Sequence, residues 1–282
     1  MGLRGAIHGM AVLYRADPKD GVAWITGAST GIGRFLARDL AAAGYTVAIT
    51  SRDEERLHTL VEETAHLPGR IVPFFCDVTD EDGMRNTVAA IEREVGEIVL
   101  AIFSAGNYFP TRGERLDALH IVNTFDVNLF GVLYGLVPVV ERMRYRGRGH
   151  VVLVGSASSY FGWPSAGAYG ASKAALNNLA EALKHDFDKM NVRLQVVNPG
   201  FVDTPLTQKT HIAMPALIPV EDASRRIARA VRSGGFETSF PRRFTISLKL
   251  LRMLPFELRF WLIHKMTGWD KRPMAAGRKP RD

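Results

Sequence analysis

The chain has 282 residues, 46% of them hydrophobic and 23% charged, which supplies a large apolar core and excludes disorder along most of its length. The formal charge of +7 sits at one end: positions 241–282 hold 11 Lys/Arg against 3 Asp/Glu, so the preceding body is near neutral and a nucleic-acid-binding body is excluded. The single cysteine, Cys76, reads as a small core residue, excludes an intrachain disulfide and a cysteine-built zinc site, and fits a reducing, cytoplasmic setting.

Arg4, His8, Arg15 and Asp17 break every apolar run in the first twenty residues, so no signal peptide is expected. No charge-free stretch reaches the ~18 residues that a membrane-spanning helix needs. Short β-rich runs at 22–26, 46–51, 71–76, 98–104, 150–155, 193–198 and 236–240 alternate with helical periodicity at 34–43, 54–65, 83–95 and 174–190. That alternation predicts an α/β chain: one doubly wound domain over 21–240 with a parallel sheet of seven strands and right-handed crossovers. A short extension, 1–20, precedes it, and a basic, helical tail, 241–282, follows.

After the first strand comes Thr26-Gly27-Ala28-Ser29-Thr30-Gly31-Ile32-Gly33, with helix from Arg34. Glycines between a strand and a helix let the backbone approach a pyrophosphate, whose charge the free N–H groups and dipole of the helix N-terminus stabilise. A dinucleotide is therefore the expected cofactor. The second strand ends at Ser51-Arg52-Asp53, where an acid takes the ribose hydroxyl of NAD or an arginine the 2′-phosphate of NADP. Arg52 comes first and favours NADP(H) over NAD(H), with a solvated surface charge as its alternative; Asp53, before Glu54 and Glu55, reads better as the start of the next helix.

Tyr169 and Lys173 stand four residues apart at the start of a helix, hence on one face. An ammonium there favours the phenolate and brings a tyrosine closer to acid/base work near neutral pH. Ser156 ends the fifth strand, placed to point a hydroxyl at a substrate oxygen. Asn128, a polar amide in an apolar helical stretch, reads equally as a satisfied core amide and as a functional group.

Taken with Asp77 and Val78 after strand three, Ser104-Ala105-Gly106 after strand four and Pro199-Gly200-Phe201-Val202-Asp203-Thr204 after strand six, these motifs resemble the short-chain dehydrogenase/reductase family from residue 21 to about 205. The resemblance implies a Rossmann-type fold and a role for each matching residue. Tyr169 is the acid/base, Lys173 holds the nicotinamide ribose, Ser156 orients the substrate oxygen and Asn128 maintains a proton relay. Asp77 and Val78 contact the adenine, Ser104, Ala105 and Gly106 pack beside the cofactor, and Val202 and Thr204 meet its carboxamide and phosphate region beyond Pro199 and Gly200. One departure stands out: where the family often carries two asparagines before Ala-Gly, this chain has Phe103 and Ser104. A dimer or tetramer is also implied.

The eight histidines show no metal-ligand spacing, so no metal is expected, and Ser156 lacks the Gly-x-Ser-x-Gly setting of a hydrolase nucleophile. Leu206, His211, Ile212, Met214, Leu217 and Ile218 make the segment after Thr204 mostly apolar, which suits either an apolar small-molecule substrate or a lid packed on its own protein. Positions 241–282 interleave basic and bulky apolar residues on two amphipathic helices broken at Pro255. They read equally as a peripheral anchor on anionic lipid and as a helical pair that caps the active site or joins subunits. Two functions compete on this evidence: an NADP(H)-dependent reductase or dehydrogenase of a hydrophobic carbonyl or alcohol, and a catalytically silent dinucleotide sensor or scaffold of the same fold.

Overall fold

The computed structural model describes residues 13–209 and 214–274. Seven parallel strands, β1 (Val22–Thr26), β2 (Thr46–Ser51), β3 (Arg70–Phe75), β4 (Ile98–Phe103), β5 (Gly149–Val154), β6 (Val192–Pro199) and β7 (Glu237–Phe240), pair in the order β3-β2-β1-β4-β5-β6-β7. The expected strands are all present, several displaced by one residue. β1, β4 and β5 are buried on both faces, which explains why they read as continuous apolar runs.

The helices are α1 (Gly31–Ala42), α2 (Glu54–Thr64), α3 (Glu81–Glu94), α4 (Ala118–Phe125), α5 (Gly131–Arg146), α6 (Gly167–Lys189), α7 (Val220–Ser233), α8 (Arg242–Arg252) and α9 (Phe256–Thr267). Two apolar layers form on either side of the sheet, one containing Leu36, Leu40, Leu57 and Ile227, the other Met84, Val139, Leu176 and Phe187. Fully buried Trp24 ties strands together, with its ring edge-on to Phe103 at 5.5 Å and Nε1 donating to Thr50 Oγ1 at 2.9 Å. Asp53 caps α2 by accepting from Arg56 N, as its position before two glutamates implied.

A π-helical turn, Asp126–Phe130, joins α4 to α5, so residues 118–146 run as one helix that is long and apolar enough to cross a membrane by length and composition. Val132, Leu136, Val139 and Met143 along it pack into the core beside the sheet. Leu13 and Tyr14 are tied to the sheet: Arg193 on β6 donates to their carbonyls at 2.8 and 2.9 Å. Cys76 is part-buried against the second apolar layer, and burial pushes its thiol up, so it stays protonated.

His150 on β5 is fully buried and its Nε2 lies 2.9 Å from Gln195 Oε1. Gln195 Nε2 already donates to the carbonyls of Ala230 and Gly235, so its oxygen faces the ring and Nε2 carries the proton. Burial, with Arg193 and Arg15 adding to it, pushes the ring down to about 3, although the bond to Gln195 opposes this. An unfolded histidine titrates near ~6.5, so stability is lost as pH falls from there toward 3, by up to a few kcal/mol. Urea denaturation at pH 7 and pH 4 should show a smaller loss in His150→Gln than in the wild type; equal losses would place the acid sensitivity elsewhere.

Candidate active site

The strand order reverses between β1 and β4, because β1 is followed by β2 on one side while β4 pairs on the other, and a cleft opens there at the carboxyl ends of the strands. Its volume is about 720 Å3, within the range of small-molecule sites. Every residue that the sequence offered for a cofactor lines this one cleft: Gly27, Ser29, Thr30, Gly31, Ile32 and Gly33 from the first loop; Arg52, Asp77 and Val78 beyond β2 and β3; Ser104, Ala105 and Gly106 beyond β4; Tyr169 and Lys173 on α6; and Pro199, Gly200, Val202 and Thr204 beyond β6.

The floor of the cleft is built by close backbone approach. Gly27 has φ +72° and a Cβ there would meet Ala105 Cα at 2.5 Å; at Gly33 a Cβ would meet the Gly27 carbonyl oxygen at 2.4 Å. Thr26 Oγ1 accepts from the N–H groups of Ser104 and Ala105, fixing the opposite wall. Thr30 N-caps α1 without a side-chain bond, and the first turn of α1 carries no acid. Its N–H groups therefore remain available to an anion, and the cradle fits a pyrophosphate.

At the end beyond β2, Arg52 lies 3.3 Å from Asp77, with 77% of the arginine side chain exposed. Burial raises the Asp77 carboxyl, but bonds from the backbone and hydroxyl of Thr79 and from Arg52 outweigh it and hold the group below the usual carboxylate range. Asp53 is engaged in capping α2 and with the Arg56 side chain at 3.3 Å.

At the other end, an apolar pocket adjoins the cleft, lined among others by Tyr108, Trp163, Phe201, Leu206, Phe244 and Leu248, together with Ser156. Tyr169 lines both the cleft and the pocket. Its ring meets Tyr108 edge-on at 5.5 Å. Ser156 Oγ accepts from Ser158 Oγ at 2.8 Å, and its backbone N–H donates to Asn198 Oδ1 at 3.0 Å. Lys173 is buried, donates to the Val154 carbonyl at 2.8 Å, and holds Nζ 6.0 Å from the Tyr169 ring centre. Burial raises the Tyr169 hydroxyl, and a hydrogen bond with Ser156 lowers it again. Burial acts on Lys173 as well and pushes its ammonium down to about 8.

Asn128 sits behind the cleft in the π-helical turn, fully buried, with Nδ2 donating to Asn107 O and Ser172 Oγ and Oδ1 accepting from Asn107 N. Its amide is satisfied in the core, as one of its two readings held. The other reading gains a neighbour: a Cβ on Gly106 would lie 3.3 Å from Asn128 Oδ1 and 3.7 Å from Lys173 Nζ. Among the described residues no group of three or more His, Cys, Asp or Glu side chains could hold a metal. His211 and Ile212 lie outside the described residues.

Several residues of the site carried no signal in the sequence. Asn107 lines the cleft and fixes Asn128 through its backbone; its own Oδ1 is buried without a partner. Tyr108 and Trp163 stand in irregular segments, and Phe244 and Leu248 reach the pocket from α8, inside the segment read as a tail.

The profile of the short chain dehydrogenases matches residues 21–214. An uncharacterised oxidoreductase of Myxococcus xanthus is 33% identical over 233 residues, spanning 83% of this chain and 92% of its own. A 3-oxoacyl-(acyl-carrier-protein) reductase of Thermotoga maritima is 32% identical over 191 residues, 67% of this chain and 76% of its own. A short-chain dehydrogenase/reductase of Burkholderia phymatum, solved in complex with NAD, shares the fold with a TM-score of 0.75 over 82% of this chain and 92% of that one, at 22% identity.

The buried ammonium makes a prediction. Below pH 8 the fold must hold Lys173 charged; between about 8 and 10.5 the folded chain sheds that proton while the unfolded chain keeps it, so stability is gained as pH rises. Relative to Lys173→Met, the wild type without cofactor should gain roughly 1–3 kcal/mol in urea denaturation across that window. Parallel stability curves would mean that the ammonium is solvated.

Proposed function

The chain belongs to the short-chain dehydrogenase family, and from that premise we propose that it transfers a hydride between NADP(H) and the carbonyl or alcohol of an apolar small molecule, with Tyr169 as acid/base. The observation that carries this reading is the position of Tyr169, on the boundary shared by the long polar cleft and the apolar pocket. Pro199, Gly200, Leu206 and Thr207 share that boundary, but of these five residues Tyr169 alone carries an ionisable group, so a reacting carbon on the pocket side and a dinucleotide along the cleft meet beside its hydroxyl.

When bound, the nicotinamide supplies or takes up the hydride. The residues do the rest. Ser156 donates to the substrate oxygen and holds it toward Tyr169, whose Oη gives its proton to that oxygen in reduction and takes it back in oxidation. A charged Lys173 favours the phenolate that this leaves, and it binds the nicotinamide ribose. Asn128, bonded to the backbone of Asn107, the residue after Gly106, keeps the region behind Lys173 open to a water relay. The α1 N-terminus with Ser29 to Gly33 takes the pyrophosphate, Asp77 and Val78 the adenine, Ser104 to Gly106 the middle of the cofactor, and Pro199 to Thr204 the carboxamide and phosphate region.

Arg52 supports NADP over NAD: its guanidinium is exposed at the adenosine end and, among the described residues, is held by a 3.3 Å contact with Asp77 alone, so it can turn to a 2′-phosphate, while Asp53 is committed to α2. Substrates are apolar because Trp163, Phe201, Leu206, Phe244 and Leu248 line the pocket beside Ser156. The setting is cytoplasmic, where Cys76 stays reduced. Leu119, Val122, Phe130 and Val137 leave apolar side chains exposed along residues 118–146, which suits a homo-oligomer.

Steady-state oxidation of NADPH and NADH against ketones and aldehydes graded in chain length tests the reading. Tyr169→Phe should lower kcat by roughly 100- to 10,000-fold while leaving NADPH affinity nearly unchanged; a variant that turns over normally would remove Tyr169 from the chemistry. Arg52→Ala should weaken NADPH by roughly 10- to 100-fold and leave NADH alone. An equal loss for both cofactors would assign Arg52 to the surface.

A further inference from the structure

α8 is apolar on two opposite faces. Thr245 and Leu248 are buried, and Leu248 lines the apolar pocket with Phe244. Ile246, Leu250 and Met253, spaced as one helical stripe, point away from the body and are 53, 60 and 80% exposed. α9 continues the exposed surface with Phe256, Phe260 and Trp261, of which the two phenylalanine rings stack at 5.7 Å; on this helix only Ile263 is buried. A helix that buries one side chain while exposing three aromatic ones lacks the packing partner from which helices in proteins draw most of their stability.

The charges around this surface say what the partner is. Positions 241–274 hold 8 Lys/Arg against 2 Asp/Glu. Lys249 is spent on Glu237, at 2.6 Å, but Arg242, Arg243 and Arg252 have no ion pair among the described residues and flank the apolar stripe. A second copy meeting the first through this face would set like charge against like charge across a two-fold axis. A nucleic acid would leave the aliphatic and aromatic groups without a role. An anionic bilayer takes both: phenylalanine and tryptophan seat at the boundary of headgroup and acyl chain, and arginines meet the lipid phosphates.

We propose that the outward faces of α8 and α9 dock on an anionic membrane surface. Docking places the apolar pocket, whose wall is the inner face of the same α8, about one helix diameter, ~10 Å, from lipid. Under the hydride-transfer reading, the substrates are then carbonyls or alcohols that partition into a bilayer.

Flotation of the full chain with vesicles tests the docking without any turnover, so its failure and that of the enzymatic reading are distinguishable. In physiological salt the protein should float with vesicles of three parts phosphatidylcholine to one part phosphatidylserine and stay behind with phosphatidylcholine alone. The double variant Leu250→Glu, Trp261→Glu, changed only at exposed positions, should float at least tenfold less while retaining its circular dichroism and NADPH affinity. Replacing Arg242, Arg243 and Arg252 by serine should erase the preference for phosphatidylserine. The proposal is overturned if the intact chain fails to float, if the double variant floats equally well, or if that variant instead converts an oligomer to a monomer in sedimentation while vesicles bind neither form.

Discussion

The site depends on how closely two pieces of backbone can approach. Gly27 ends β1 in a left-handed conformation and lies against Ala105, beyond β4, so tightly that a Cβ would have to occupy the space of the Ala105 α-carbon, 2.5 Å away. This contact lies at the strands where the sheet order reverses, and it is backed by Thr26, whose hydroxyl accepts from the amides of Ser104 and Ala105. Because the two loops meet at their bases, α1 can begin next to the cleft with its first amides unpaired by any side chain. A helix end whose amides meet no side-chain cap and the opposite wall of the cleft come from one packing constraint.

The end of the cleft at Tyr169 rests on a different balance. Burial favours neutral forms of both Tyr169 and Lys173, raising one and lowering the other, while the hydrogen bond with Ser156 pulls the tyrosine back. Ser156 is in turn held through Asn198, whose amide donates to Glu237 Oε1 at 3.0 Å; the same carboxylate accepts from Tyr160 and from Lys249 of α8. Burial raises Glu237, but these three donors outweigh it and keep it ionised. A line of hydrogen bonds thus runs from α8 to the backbone of the serine, so the helix that closes the apolar pocket is also joined to the group that faces it.

Much of this was legible in the sequence because it depends on local spacing. The glycine loop, the four-residue step from Tyr169 to Lys173 and the strands that deliver Ser156 and Ser104 follow from periodicity and turn chemistry, and so does Asp53 as a helix cap. The break of the tail into two helices at Pro255 followed from the same rules. What was hidden is tertiary. That Phe244 and Leu248 line the same pocket as Ser156, some ninety residues earlier, depends on how α8 folds back, and no pattern of period 3.6 tells which of its two apolar faces turns inward. The four-residue spacing brings an ammonium to the face of Tyr169, but the burial that acts on both groups is supplied only by the packed structure. Asn107 left no signal because it acts on Asn128 through its backbone N–H and carbonyl, which every residue type but proline supplies alike.

The account's central claim is that a hydride crosses between the cleft and the apolar pocket at Tyr169. The most direct measurement uses NADPH deuterated at the transferring position of the nicotinamide C4, with a graded panel of apolar ketones and aldehydes, and locates the label in the product by mass spectrometry. The account predicts one deuterium on the new carbinol carbon of the accepted substrates. Tight NADPH binding with no label in any product would contradict it and identify the chain as a binder of dinucleotide that performs no transfer.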